Sequence, residues 1–244
     1  MAQQEKRACL ATALVFSLLW LAGCASSAPP IKKSVPEQQD RSSLSQFGKS
    51  DLDRMADVQM RENTQSLRLL MTKLYKRNPR ELRKSTSGTA EEMVDWVFEG
   101  GQGWRFPKIN NVQGTEAIQL AFQPEYQGDR VLPFIVGLET MLIKAHGGKE
   151  EFFYTDSLDP QSIYNAARNV EIAAWKLSNA RDSQGQLYLL TNELNDSGHN
   201  LSFEREFGKI IGRTDLYAMT LSEKSQRTIS RIALSFATAL FLPF

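Results

Sequence analysis

"DRVLPFIVGLETMLIKAHGG", Asp129 to Gly148, decides how the fold is read. Val131, Phe134, Ile135, Leu138, Met141, Leu142 and Ala145 recur at helical spacing, which gathers them on one side of an α-helix but scatters them over both faces of a strand. Asp129 stands where an N-capping carboxylate belongs. Pro133 is close enough to the start to be tolerated, and Gly147 and Gly148 supply a stop. The stretch predicts a helix through about Ala145. Glu139 is the one charge within its apolar run, so burial predicts a partner for it, Arg130 or a distant basic residue, in a structural rather than catalytic role.

The same reasoning extends outward. Ser50 followed by Asp51 and Asp53 predicts a helix start, and Leu67, Leu70, Met71, Leu74 and Tyr75 carry that helix to Arg77. Asn78-Pro79 ends it, because a residue before proline avoids helical geometry. Thr89 and Glu92 form a capping box for a second helix with Met93, Trp96 and Val97 inward and Gly100-Gly101 as its end. Asp159-Pro160 opens another, whose stripe is Ile163, Ala167, Val170, Ala174 and Leu177. Phe203, Phe207, Ile210 and Ile211 predict a shorter helix. Ile229, Ile232, Ala233, Phe236, Ala237, Leu240 and Phe241 predict a C-terminal one, apolar nearly all round. Strand signals reduce to "AIQLAF" (117–122) and "LYLL" (187–190), with no hairpin turn between them. The expectation is an all-α domain, a compact bundle of about six or seven helices over residues 50–244, with one short β-pair left open. No repeat of solenoid length can be aligned.

The chain opens "MAQQEKR", then the run Ala8 to Ala22, "ACLATALVFSLLWLA", then "GCASSAPP". A charged start, a short apolar core and small residues at its end have the layout of an export signal. Fifteen helical residues rise about 22 Å, short of the roughly 20 residues that span a bilayer core. Leu21-Ala22-Gly23-Cys24 resembles the lipobox of bacterial lipoproteins. That resemblance implies cleavage of residues 1–23, a diacylglycerol thioether on the Cys24 thiol, and acylation of the new α-amino group by a palmitate-type chain. Ala25 is not the aspartate that retains many such proteins in the inner membrane. The implied address is the outer membrane, facing the periplasm.

Loss of residues 1–23 takes Lys6 and Arg7 from 29 basic residues and Glu5 from 28 acidic ones, leaving 27 of each. Neutrality argues against a dedicated nucleic-acid binder. Cys9 leaves with the signal, so Cys24 stands alone and the mature chain has no intramolecular disulfide or cysteine-based metal site. Residues 24–49, rich in Ser, Pro, Gln and charge without apolar period, read as a lipidated N-terminus and flexible tether. About 25 such residues span roughly 25 to 30 Å.

Arg68, Lys73, Lys76, Arg77, Arg80, Arg83 and Lys84 face only Glu81 in the same run, which makes them a candidate site for anionic lipid or glycan, against the plainer reading of a helix end with solvated cations. "FEGGQGWRFP" (98–107) has its glycines after a helix, the wrong side for a phosphate cradle; Trp104 and Phe106 are expected to pack back on the bundle. Lys144 and His146 read as a cationic last turn, and His199 lies in a polar loop. Neither histidine has metal-ligand spacing, and no cofactor motif appears. Glu150, Glu151, Asp156 and Asp159 read as surface carboxylates, with Asp159 capping. "ALFLPF" (239–244) is read as core helix, or else as a segment that docks on a partner or membrane surface. The functional expectation is a non-enzymatic interaction or accessory module of the cell envelope. The alternatives are an envelope enzyme or small-ligand binder with an interhelical cleft near Glu99, Trp104 and Glu139, and an anionic-ligand binder through 68–84.

Overall fold

The computed structural model describes residues 49–149, 151–152, 158–195, 198–231 and 240–243. The export segment, Cys24, nearly all of the tether and the middle of the C-terminal apolar run lie outside the described residues.

Helix α1 (Asp51–Arg77) starts at Ser50, whose hydroxyl accepts from the Asp53 N–H while the Asp53 carboxylate accepts from the Ser50 N–H at 2.7 Å. Asn78 ends it and Pro79 at once begins a short helix α2 (Pro79–Ser85), since a first-turn proline forfeits no helical bond. Helix α3 (Ala90–Glu99) carries the Thr89/Glu92 capping box at its start. A 3₁₀ turn (Pro107–Ile109), α4 (Gly114–Leu120), α5 (Val131–Ala145) and α6 (Pro160–Asn179) follow. An antiparallel pair of β1 (Glu193–Asn195) and β2 (Gly198–Asn200) and then α7 (Ser202–Ser225) complete the order. The fold is all-α, as the helical spacing predicts.

The centre is α5, in which 13 residues are buried, more than a single stripe accounts for. A helix buried on every side is a core helix. It packs on α1, α4 and α6, and α7 closes the bundle against α1 and α6. Phe134 of α5 meets Phe207 of α7 edge-on at 6.4 Å between ring centres. At the start of α5 the buried Asp129 accepts from the Val131 N–H, the Tyr75 hydroxyl at 2.6 Å and the Ser85 hydroxyl at 2.7 Å. Burial raises its carboxyl above the usual range, and those donors pull the other way.

Four sequence expectations change. "AIQLAF" is largely helix α4, because six residues of mixed character fit either period and here Ala117 and Ile118 turn inward together. "LYLL" joins no sheet beyond a single bridge of Leu187 to Arg181. Instead Asn78 binds both the N–H and the C=O of Leu190, at 2.8 and 2.9 Å. The helix begun at Phe203 is long, reaching Ser225. The chain is non-helical at 227–231 and 240–243, so a helix beginning at Ile229 does not form; residues 232–239 are outside the described set.

Candidate functional site

Helices α6 and α7 are antiparallel, pairing Arg168 with Asp215 at one level and Ser178 with Glu204 at another. Asp159 caps α6 through the Ser162 N–H at 3.0 Å, which fixes the start of the helix that carries the site. Arg168 contacts the Asp215 carboxylate at 2.5 Å and Glu171 at 3.1 Å, and its guanidinium lies 4.9 Å from the Tyr164 ring centre. Burial raises both carboxyls, and Arg168 opposes the rise. Beside this cluster opens a groove of about 550 Å³ whose lining includes Tyr164, Arg168, Asp215, Met219, Ile229 and Arg231. A second hollow of about 270 Å³ continues past Trp175, Ile211 and Glu204. On α7 a side-chain carbon added at Gly208 or Gly212 would meet no atom of the described residues within 4 Å, so among them this flank is open. Among the described residues the lining of both hollows holds no His, Cys or Lys, and the set is an ion-pair cluster framed by Tyr, Met and Trp.

The adjoining flank of α6 carries three amides one turn apart, Gln161, Asn165 and Asn169. Asn169 accepts from the Leu242 N–H at 2.6 Å and donates to the Leu242 carbonyl at 2.9 Å. Asn165 donates to the Pro243 carbonyl at 2.7 Å, and its own oxygen accepts from Gln161 at 2.8 Å. Gln161 in turn takes the Ser230 N–H at 2.8 Å. Sequence reading did not single out this row. Polar residues at helical spacing read as a solvated face, and only the returning chain covers them.

The basic run does not form one open patch. Arg68 pairs with Asp95 at 2.6 Å and Glu99 at 2.9 Å on α3, and Lys76 pairs with Glu91 at 2.5 Å. Lys84 holds Glu81 at 2.7 Å and the Gly128 carbonyl at 3.1 Å. Lys73 lies over the Phe203 ring at 4.6 Å, with burial lowering its ammonium below the usual range and Glu206 opposing. Arg77 is half-buried, while Arg80 and Arg83 on α2 are exposed.

Glu139 is buried, as its position implies, and accepts from the Thr64 hydroxyl at 2.6 Å. Arg130 is committed elsewhere: its guanidinium donates to the carbonyls of Ala121, Gln123 and Tyr126, which finish the end of α4. Glu99 lies on Arg68 and not in a cleft with Glu139. Trp104 packs edge-on to Phe98, and Phe106 is buried against Trp96, each pair at 5.2 Å, so this loop folds back on the bundle. His146 is no cationic cap: it is fully buried, and desolvation lowers it to about 4. His199 lies in β2. Glu151 is exposed, and Glu150 and Asp156 are outside the described residues. Among the described residues no three His, Cys, Asp or Glu gather as metal ligands, and no helix is long and apolar enough to cross a membrane. Compared with known protein families, curated proteins and solved structures, the chain has no match.

Proposed function

We propose that this chain is a bacterial envelope lipoprotein, acylated at Cys24 and facing the periplasm from the outer membrane, whose helical domain works by binding a partner protein. The observation that supports this is the open α6–α7 flank. Tyr164, Arg168, Trp175 and Met219 are the residue types that carry binding energy at protein interfaces, and here they border a shallow groove. Trp175 and Met219 are exposed, as is Leu216, the residue that follows Asp215 in α7.

Crosslinking in intact envelopes with the full chain tests the reading. A discrete partner should be recovered, and Trp175→Ala or Met219→Arg should cut recovery about tenfold, the effect of losing roughly 1.4 kcal/mol of binding. Undiminished recovery by both variants, or turnover of an envelope substrate with no partner, sinks it. The anionic-ligand reading falls to Arg80 and Arg83, because acidic neighbours engage Arg68, Lys76 and Lys84. Vesicle binding that survives Arg80→Glu with Arg83→Glu would dispose of it.

A further inference from the structure

The amide row on α6 recognises polypeptide backbone and not side chains. Asn169 takes both the donor and the acceptor of one residue, Leu242, which is how an extended chain is gripped whatever its sequence. Pro243 has no N–H to offer, and the amide facing it is matched to that. Asn165 gives its N–H to the Pro243 carbonyl and turns its oxygen to Gln161. Asn169 is completely buried and Asn165 nearly so, at 7 % exposed. Such amides need a partner at all times, since a buried polar group left unmatched is costly. The segment that supplies the match is only partly seated: Leu240 is 70 % exposed and Pro243 is exposed, while Phe241 is half-buried against the core, so backbone bonds share the hold with partial apolar packing.

We infer that Asn165 and Asn169, with Gln161 orienting Asn165 while it holds Ser230, form a peptide-binding site for an extended segment with an apolar residue followed by proline, occupied here by the chain's own Leu242-Pro243 and open to the same kind of segment from a partner. The resident segment acts as an intramolecular competitor. A tethered ligand competes at an effective concentration in the millimolar range, so a free peptide gains access when the resident grip is weakened. The inference rests on the interaction-module reading and names its ligand class.

The test uses the full chain and a fluorescent peptide, Lys-Lys-Leu-Phe-Leu-Pro-Phe, followed by anisotropy. Leu242→Pro removes the resident N–H without touching α6, and should tighten peptide binding at least tenfold over the parent chain. A peptide N-methylated at the leucine before proline lacks the same N–H, and should lose at least tenfold on the Leu242→Pro chain. Adding Asn169→Leu should abolish binding. Equal binding of methylated and plain peptides, or no binding to the Leu242→Pro chain at millimolar peptide, overturns the site, and the methylated peptide decides the matter without any change to the fold. Envelope crosslinking with the parent and Asn169→Leu chains separates the two claims. A partner captured equally by both leaves the module reading standing and removes this site. Peptide binding without any captured partner does the reverse.

Discussion

His146 shows how a single residue becomes a pH-dependent term in stability. Its Nδ1 lies 2.8 Å from the Leu142 carbonyl and so carries a proton, while Nε2 lies 3.1 Å from Gln59 Oε1. A doubly protonated ring suits that arrangement. A neutral ring instead needs the Gln59 amide turned so that its –NH₂ faces Nε2, which gives up the bond from Gln59 to the Thr214 hydroxyl, whose own proton goes to the Ile210 carbonyl. Burial lowers the ring from 6.5 to about 4, so it is neutral at pH 7 and protonation is coupled to the amide turning. Because the folded value lies below the unfolded one, the unfolded chain binds the extra proton first. Stability contributed by the neutral ring is therefore present above about pH 6.5 and is lost as pH falls toward 4, by about 3 kcal/mol in all. Asp129, Asp215 and Glu171 act in the opposite sense, since their raised carboxyls take up protons earlier in the folded state. Urea midpoints of the parent and a His146→Gln variant, compared between pH 7 and 4, isolate the histidine. The parent should lose more stability over that interval, and parallel curves would refute the assignment.

Between elements, two helix contacts depend on details that periodicity does not encode. Where α1 meets α7, the buried Thr214 hydroxyl accepts from Gln59 and Asn63, each at 3.2 Å, and Arg213 donates to Asn63 and Ser66 beside it. Thr214→Val keeps the shape and leaves both amides facing a methyl, so the denaturant midpoint should fall by the equivalent of about 1–3 kcal/mol, while Leu216→Ala on the exposed side should change little. Where α4 crosses α5, a side-chain carbon at Gly137 would lie 2.7 Å from both the Gly114 carbonyl and the Ile118 nitrogen. Backbone cannot move aside as a flexible side chain does, so Gly137→Ala should cost about 1–3 kcal/mol and raise amide exchange in α4. The ends of α1 and α3 are legible in sequence because Ser50, Asn78-Pro79 and Thr89/Glu92 act locally. Gly137 is not, since a mid-helix glycine reads as a weakness until a second helix is laid across it. The full length of α7 is obscured because Glu206 and Thr214 share its buried face with Phe203 and Phe207. The amide row on α6 is written openly as Gln161, Asn165 and Asn169, but what those amides bind arrives from 60 or more residues further along the chain.

For the whole molecule, the proposed anchor sets both where the domain acts and what it can reach. Some 195 residues fold to a radius of gyration near 16 Å, hence a body roughly 40 Å across, which is also about the length of a 27-residue helix such as α1. If the proposed anchor holds, a flexible segment of about 25 residues, spanning about 25 to 30 Å, keeps such a body within its own diameter of the membrane, and a partner for the α6–α7 flank is then membrane-proximal. Acyl chains contribute about 0.8 kcal/mol per buried methylene, and two or more of them hold a protein where one does not. Wild-type chain should therefore stay with the membrane through a high-salt wash, which strips attachments made by charge, and leave it only in detergent. Cys24→Ser removes the thiol while the folded core begins beyond the tether, so its product should be a precursor or a soluble domain whose melting temperature matches the parent's. Mass spectrometry of the wild-type N-terminus should find residue 24 leading and carrying acyl mass. Membrane attachment unaltered in Cys24→Ser would remove the anchor, and with it the argument that the partner lies at the membrane, leaving the groove and the amide row to be tested on a free domain.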